Sequence, residues 1–188
     1  MRFTAHIREY DNKEQSVEAH CSETAELAAE YAEFAGLKKT AELSGKLHDI
    51  GKFTNDFNDY IHGNTRFRRG ELDHSFAGAR YIKENLANSD DNNIRKAGSL
   101  IGRVILSHHG LRDWVNDDCQ DTYKIRTEKD DYYGEIIENF RNSDLTKDIQ
   151  SDFEKAVSEV KSVRAELKKI SDNKEKFEEI NGVKFAAK

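Results

Sequence analysis

Not one proline occurs among the 188 residues of the chain, where about one residue in twenty would be usual. Proline removes a backbone donor and clashes with the preceding turn, so helices gain most from its absence. Apolar residues recur at spacings of three and four, the period of helices with one buried face. A first helix is expected from a capping Ser16 to a terminating Gly36, with Ala25, Ala28, Tyr31, Ala32 and Ala35 inward. A second runs from a cap at Thr40 through Leu43, Leu47 and Ile50 to Gly51, with His48 and Asp49 in its last turn. A short third piece carries Phe57, Tyr60 and Ile61. The next opens at His74 and buries Phe76, Ala79, Ile82 and Leu86; another sets Ile94, Ala97, Ile101, Val104, Ile105 and His108 on one face before Gly110. Leu111 to Lys129 reads as polar and irregular. Tyr132, Ile136, Ile137 and Phe140 mark a further helix. Ile149, Phe153, Val157, Val160, Leu167 and Ile170 mark a long amphipathic one, paired as a hairpin arm with the segment of Phe177 and Ile180. The expected class is all-α, in one domain spanning residues 1–188.

Charged residues make up 35% of the chain and the formal charge is -6, which argues against a domain holding nucleic acid by bulk attraction alone. The two cysteines, Cys21 and Cys119, stand far apart, so neither a disulfide framework nor a thiolate zinc site is indicated. No apolar run approaches the roughly 20 residues of a membrane span, and the N-terminus lacks a signal-like stretch. A cytoplasmic address without a membrane partner is expected. No glycine-rich phosphate loop is present, so the chain by itself drives no nucleotide-powered motor.

Of seven histidines, five fall in the ordered segments HCSETAELA, HDIGK, DHSFAGA and SHHG. They are His20, His48, His74, His108 and His109. His48 and Asp49 are chain neighbours about 100 degrees apart on a helix, so both can ligate a metal lying between their directions, and the carboxylate can bridge a second ion. Five imidazoles and one carboxylate suit a divalent first-row transition metal (Mn, Fe, Co, Ni or Zn) better than magnesium or calcium. Six such groups are more than one ion takes while keeping room for water, so two ions about 4 Å apart are expected. Lys52, at i+4 from His48, can reach the same cavity and offset phosphoryl charge. Asp73 reads as an acceptor that orients His74 or caps its helix. His6 and His62 have no motif around them and read as surface or loop residues.

The ordered set His20, HDIGK at 48 to 52, DHS at 73 to 75 and SHHG at 107 to 110 resembles the HD nuclease domain of the CRISPR type I interference helicase-nuclease. That resemblance covers roughly positions 16 to 110. It implies an HD-domain helical bundle around a histidine cluster. His20, His48 and Asp49 would hold one ion and Asp49, His74, His108 and His109 the other, with Lys52 near the scissile phosphate. Asp49 and Lys52 are the implied catalytic residues. The implied activity is metal-activated hydrolysis of phosphodiester bonds in single-stranded DNA. The strand is delivered by an ATP-dependent helicase, and the RNA-guided surveillance complex is the recruiting partner. The family also supplies an aspartate from a late helix, which is not recognisable after Gly110. Asp144, Asp148 and Asp152 read as capping and solvated groups of a helix start, so the chain is expected to stop short of that helix. Its first metal position would then be the weaker, and the position of His74, His108 and His109 would fill first.

Two other functions fit part of the pattern. One is an HD phosphohydrolase acting on nucleotides, although a chain without proline lacks the Gly-Tyr-Pro signature of the cyclic-dinucleotide branch. The other is a non-catalytic docking fragment that offers the Asp144 to Ile170 helix to a partner. Arg66, Arg68 and Arg69 around Phe67 could follow a nucleic-acid strand, or form a solvated loop.

Overall fold

The computed structural model describes residues 2–68, 70–110, 120–129 and 132–172. It is mostly helical, as expected, and adds one small antiparallel hairpin of β1 (Thr4–Ile7) and β2 (Glu14–Ser16). Eight α-helices follow among the described residues. They are α1 (Val17–Ala32), α2 (Lys38–Leu47), α3 (Asn55–Ile61), α4 (Phe76–Tyr81), α5 (Asn92–Leu106), α6 (Thr122–Thr127), α7 (Tyr133–Arg141) and α8 (Ile149–Asp172). None of them is long and apolar enough to cross a membrane.

Helix α1 begins where expected, because Ser16 Oγ accepts from the backbone of Ala19 at 3.2 Å. Its tail tightens into a 3-10 turn over Glu33–Ala35, and Gly36 closes it in the left-handed region at φ 69. The buried stripe is Val17, Cys21, Ala25 and Ala29, not the expected face, and Tyr31 is 70% exposed. Alanines occur on both sides of this helix, so they do not mark its inner face.

Helix α2 begins at Lys38, two residues before the expected cap. Glu159 on α8 accepts from the backbones of Lys39 and Thr40 at 2.9 and 2.8 Å and from Thr40 Oγ1 at 2.9 Å. A carboxylate 120 residues away thus caps the free N–H groups and suits the positive end of the helix. Helix α8 is amphipathic only in its first half, since Leu167 and Ile170 are exposed. Its Asp152 is buried, not solvated, with Oδ2 2.9 Å from Lys46 Nζ on α2. The hairpin arm of Phe177 and Ile180 lies outside the described residues. On α5, Val104 is exposed, and Gly98 and Gly102 are buried alongside Ala97, Ile101 and Ile105. Part of the stretch expected to be irregular folds as α6, capped by Asp121.

One buried cluster joins the hairpin, α1, α2, α4, α5, α7 and α8. Two glycines let the backbones that carry the polar site approach it closely. A Cβ on Gly51 would stand 1.9 Å from the carbonyl oxygen of His74, and one on Gly78 would stand 2.1 Å from that of Leu47. The glycine of HDIGK thus lets the turn after α2 lie against the chain at His74. Gly51→Ala should therefore destabilise the fold by about 1–3 kcal/mol or more, as overpacking against backbone does. Gly134→Ala, where a Cβ meets nothing within 4 Å, should leave stability within about 0.5 kcal/mol. Urea denaturation of the two variants checks the difference.

Candidate metal centre

Helix α2 ends at Leu47, His48 keeps helical angles, and Asp49 breaks away at φ -116 and ψ 18 before a 3-10 turn over Ile50–Lys52. The break sends the Asp49 side chain into the interior, where the residue is 2% exposed. Its two oxygens face different neighbours. Oδ2 lies 3.0 Å from His20 Nε2, 3.2 Å from His48 Nε2 and 2.9 Å from Lys52 Nζ. Oδ1 lies 3.3 Å from His108 Nε2 and 3.4 Å from His74 Nε2. His109 joins the second side, with its Nε2 2.8 Å from that of His74. One nitrogen or oxygen from each of Asp49, His74, His108 and His109 falls within 4.8 Å of all the others, and the same holds for His6, His20 and Asp49.

These groups arrive from five places in the fold. His6 stands on β1, His20 in the first turn of α1, and His48 and Asp49 at the end of α2. His74 lies just before α4, and His108 and His109 occupy the turn after α5, where Gly110 N donates back to Ser107 O at 2.9 Å. Burial by itself would raise the Asp49 carboxyl; the facing His108, His20 and His48 bring it below the usual carboxylate range where they carry a second proton and donate to it. Burial lowers His74 to about 4, with Lys52 and the neighbouring imidazoles adding to it against Asp49. His6 is likewise lowered to about 4, by burial first and by Lys52 next. Both rings are therefore neutral near pH 7, the form that can ligate a metal.

The arrangement fits divalent cations. Nδ1 of His48 lies 2.7 Å from Gly45 O and that of His108 lies 2.6 Å from Ile105 O, so in each ring Nδ1 carries a proton. A neutral ring then turns a bare Nε2 lone pair toward the Asp49 carboxylate. Two such acceptors at 3.2–3.3 Å repel unless the ring takes a second proton or a cation lies between them. Asp49 Oδ1 and His108 Nε2 are buried without a hydrogen-bond partner among the described residues. Ligands bound to one ion at about 2.1 Å stand about 3 Å apart. The spacing of His20 Nε2, His48 Nε2 and Asp49 Oδ2 matches that edge, at 3.0–3.2 Å.

The structure thus gathers His20, His48, Asp49, Lys52, His74, His108 and His109, all proposed from sequence, around one carboxylate. It also brings His6 beside them: the residue is exposed, as the sequence reading had it, yet a ring nitrogen lies within 4.8 Å of ligand atoms of His20 and Asp49. The short strand Thr4–Ile7 carries no motif, and what a strand residue faces depends on which element packs beside it. Asp73 does not cap α4, whose N-cap is Ser75 without a side-chain cap; its Oδ1 accepts from the Ser75 backbone at 3.2 Å in the turn before the helix, and its oxygens also take Arg126 at 3.0 Å and Lys129 at 2.7 Å. It does not orient His74, whose buried Nδ1 has no partner among the described residues. Asp152, the buried acid of α8, is matched by lysines and not by histidines. Among the described residues, the candidate metal groups contain no acid from beyond Gly110. Arg66 and Arg68 are exposed, and Arg69 lies outside the described residues.

A cavity of about 570 Å³ opens onto this centre, lined by His6, Lys52, His74, His109, Phe57, Tyr60 and Arg68. Among families of known proteins, the HD domain matches residues 17–180. No curated protein sequence matches the chain.

Asp49→Ala should abolish metal binding at both positions, an affinity loss beyond about a hundredfold, since outer partners of ligands alone are worth 10–100-fold. His62→Ala should retain the metal, because His62 pairs with Glu14 and Asn58 away from the centre. Elemental analysis after dialysis against cobalt or manganese distinguishes the two.

Proposed function

Because the chain belongs to the HD domain family, whose members are metal-dependent hydrolases, we propose that it is a nuclease that hydrolyses phosphodiester bonds in single-stranded DNA during type I CRISPR interference. The observation that carries this reading is the shared cavity. Its lining combines His6, His74, His109 and Lys52 with the exposed Arg68 and the ring of Tyr60. A guanidinium beside aromatic faces is the combination that follows a flexible strand, by phosphate contact and base stacking. Divalent ions on the histidines and Asp49 would supply an activated water and stabilisation of phosphoryl charge.

The chain's own groups do the rest. Lys52 is 4% exposed, and Asp49 at 2.9 Å and the carbonyl of Ala5 at 3.5 Å hold its ammonium at the cavity wall. That fixed positive charge meets the developing phosphoryl charge without reorganising. The Asp49 carboxylate, paired with Lys52 at 2.9 Å, would give the cations a negative centre beside that wall. Arg68 in the same lining draws the neighbouring phosphate and sets the direction of the strand. In this reading a single flexible backbone reaches the centre through the cavity, whereas a duplex holds its backbones rigidly. An ATP-dependent helicase, recruited by the RNA-guided surveillance complex, supplies the unwound strand in this scheme, consistent with the absence of a phosphate loop in the chain.

A labelled single strand, the matching duplex and free nucleotides, each incubated with manganese, cobalt, nickel or zinc, test the reading. Cleavage of the single strand at least about tenfold faster than of the duplex is expected, an advantage of about 1.4 kcal/mol in the barrier. Hydrolysis of nucleotides with the strand intact would replace the nuclease by a nucleotide phosphohydrolase. Arg66→Ala combined with Arg68→Ala should weaken strand binding and flatten its salt dependence by about one unit of log–log slope. An unchanged slope would leave the basic loop merely solvated.

A further inference from the structure

We propose that His6, on the N-terminal hairpin, is a ligand of the first metal position, beside His20 and Asp49. The inference rests on the metal-dependent reading above and concerns which of the chain's own residues complete that site.

Without His6, the Oδ2 side of Asp49 has two imidazoles, His20 and His48, whereas the Oδ1 side has three, His74, His108 and His109. The ligand-capable atoms of His6, His20 and Asp49 all lie within 4.8 Å of one another, so His6 stands on the poorer side. Its ring meets that of His20 edge to face, with centroids 4.6 Å apart. His6 Nε2 lies 3.3 Å from Lys52 Nζ, and an ammonium can only donate. That nitrogen therefore presents a lone pair toward the pocket, in the tautomer a metal requires, and already toward a cation.

The hairpin is built to hold the ring there. Thr4 pairs with Ser16 but His6 pairs with Gln15, so Ala5 is an extra residue in β1, a bulge. Bulges turn the following side chain away from the regular alternation. Lys52 Nζ lies 3.5 Å from the carbonyl of Ala5 at this bulge, and Ala5 itself is fully buried. Thr4 N donates to Asn58 Oδ1 at 3.1 Å, and Val17 N donates to Phe3 O at 2.9 Å, which fastens the strand to α3 and to the start of α1. The His6 ring is exposed, and the anchoring acts on the backbone that carries it. A ligand needs such a hold, because a metal accepts only small errors in position.

Cobalt titration of the full chain tests the assignment, reading stoichiometry by equilibrium dialysis and coordination by visible absorption. Wild type should take two ions per chain. His6→Ala and His6→Gln should both keep one ion at wild-type affinity and weaken the other at least about tenfold, with an altered cobalt spectrum. The glutamine variant retains an acceptor for Lys52, so a loss shared by both variants reports the missing imidazole and not a collapsed hairpin; circular dichroism and thermal melting check their folding. Two ions bound by both variants with unchanged affinity and spectrum would overturn the role of His6. A wild type that binds no cobalt would overturn the metal-dependent reading itself, whatever His6 does.

Discussion

A carboxylate held almost wholly out of water is the constraint around which the rest of the molecule is arranged. Removing an ion of that size from water costs several kcal/mol even after the protein relaxes, so Asp49 is tolerable only where charge and hydrogen bonds converge on it. Lys52 supplies charge from one turn away, and imidazoles from α1, α2 and the segments flanking α4 and α5 close around both oxygens, where a bound cation would complete the balance. Each of those elements must therefore be placed to within a few tenths of an ångström. The close backbone contacts at Gly51 and Gly78, which bring α4 and its leading segment onto α2, serve that placement.

The same convergence explains why the centre suits cations. Several of its nitrogens are committed by hydrogen bonds to backbone carbonyls on the far side of the ring, which leaves their other lone pairs turned inward. An interior that gathers lone pairs around an anion stores repulsion that a divalent ion relieves. Partial desolvation, joined for the exposed His6 by the Lys52 ammonium, keeps His74 and His6 neutral and so ready to bind, whereas an imidazole with an ordinary pKa near 6.5 would carry partial charge in mildly acidic conditions.

Outside the centre, long-range polar contacts hold the frame. Glu159 caps α2 from α8, Asp152 meets Lys46 across the same pair of helices, and Asp73 ties the start of α4 to Arg126 on α6 and to Lys129 just beyond it. These contacts join segments that are distant in sequence. They set the angle at which α2 delivers His48 and Asp49, and they hold the chain that carries His74.

The sequence by itself determined the helical class, through the missing proline and the spacing of three and four. It also pointed to the residues that gather around Asp49, because His20, HDIGK, DHS and SHHG each combine an imidazole with a helix end and small neighbours. It did not determine helix faces where alanine lies on both sides, as on α1, nor the start of α2, which a glutamate 120 residues away decides. Only the tertiary structure moved Asp152 from solvent into an ion pair and brought His6 to the side of His20. The physical reason is the same in both cases. What a short strand or an amphipathic helix faces depends on the element packed against it, and local residue spacing carries no information about that neighbour.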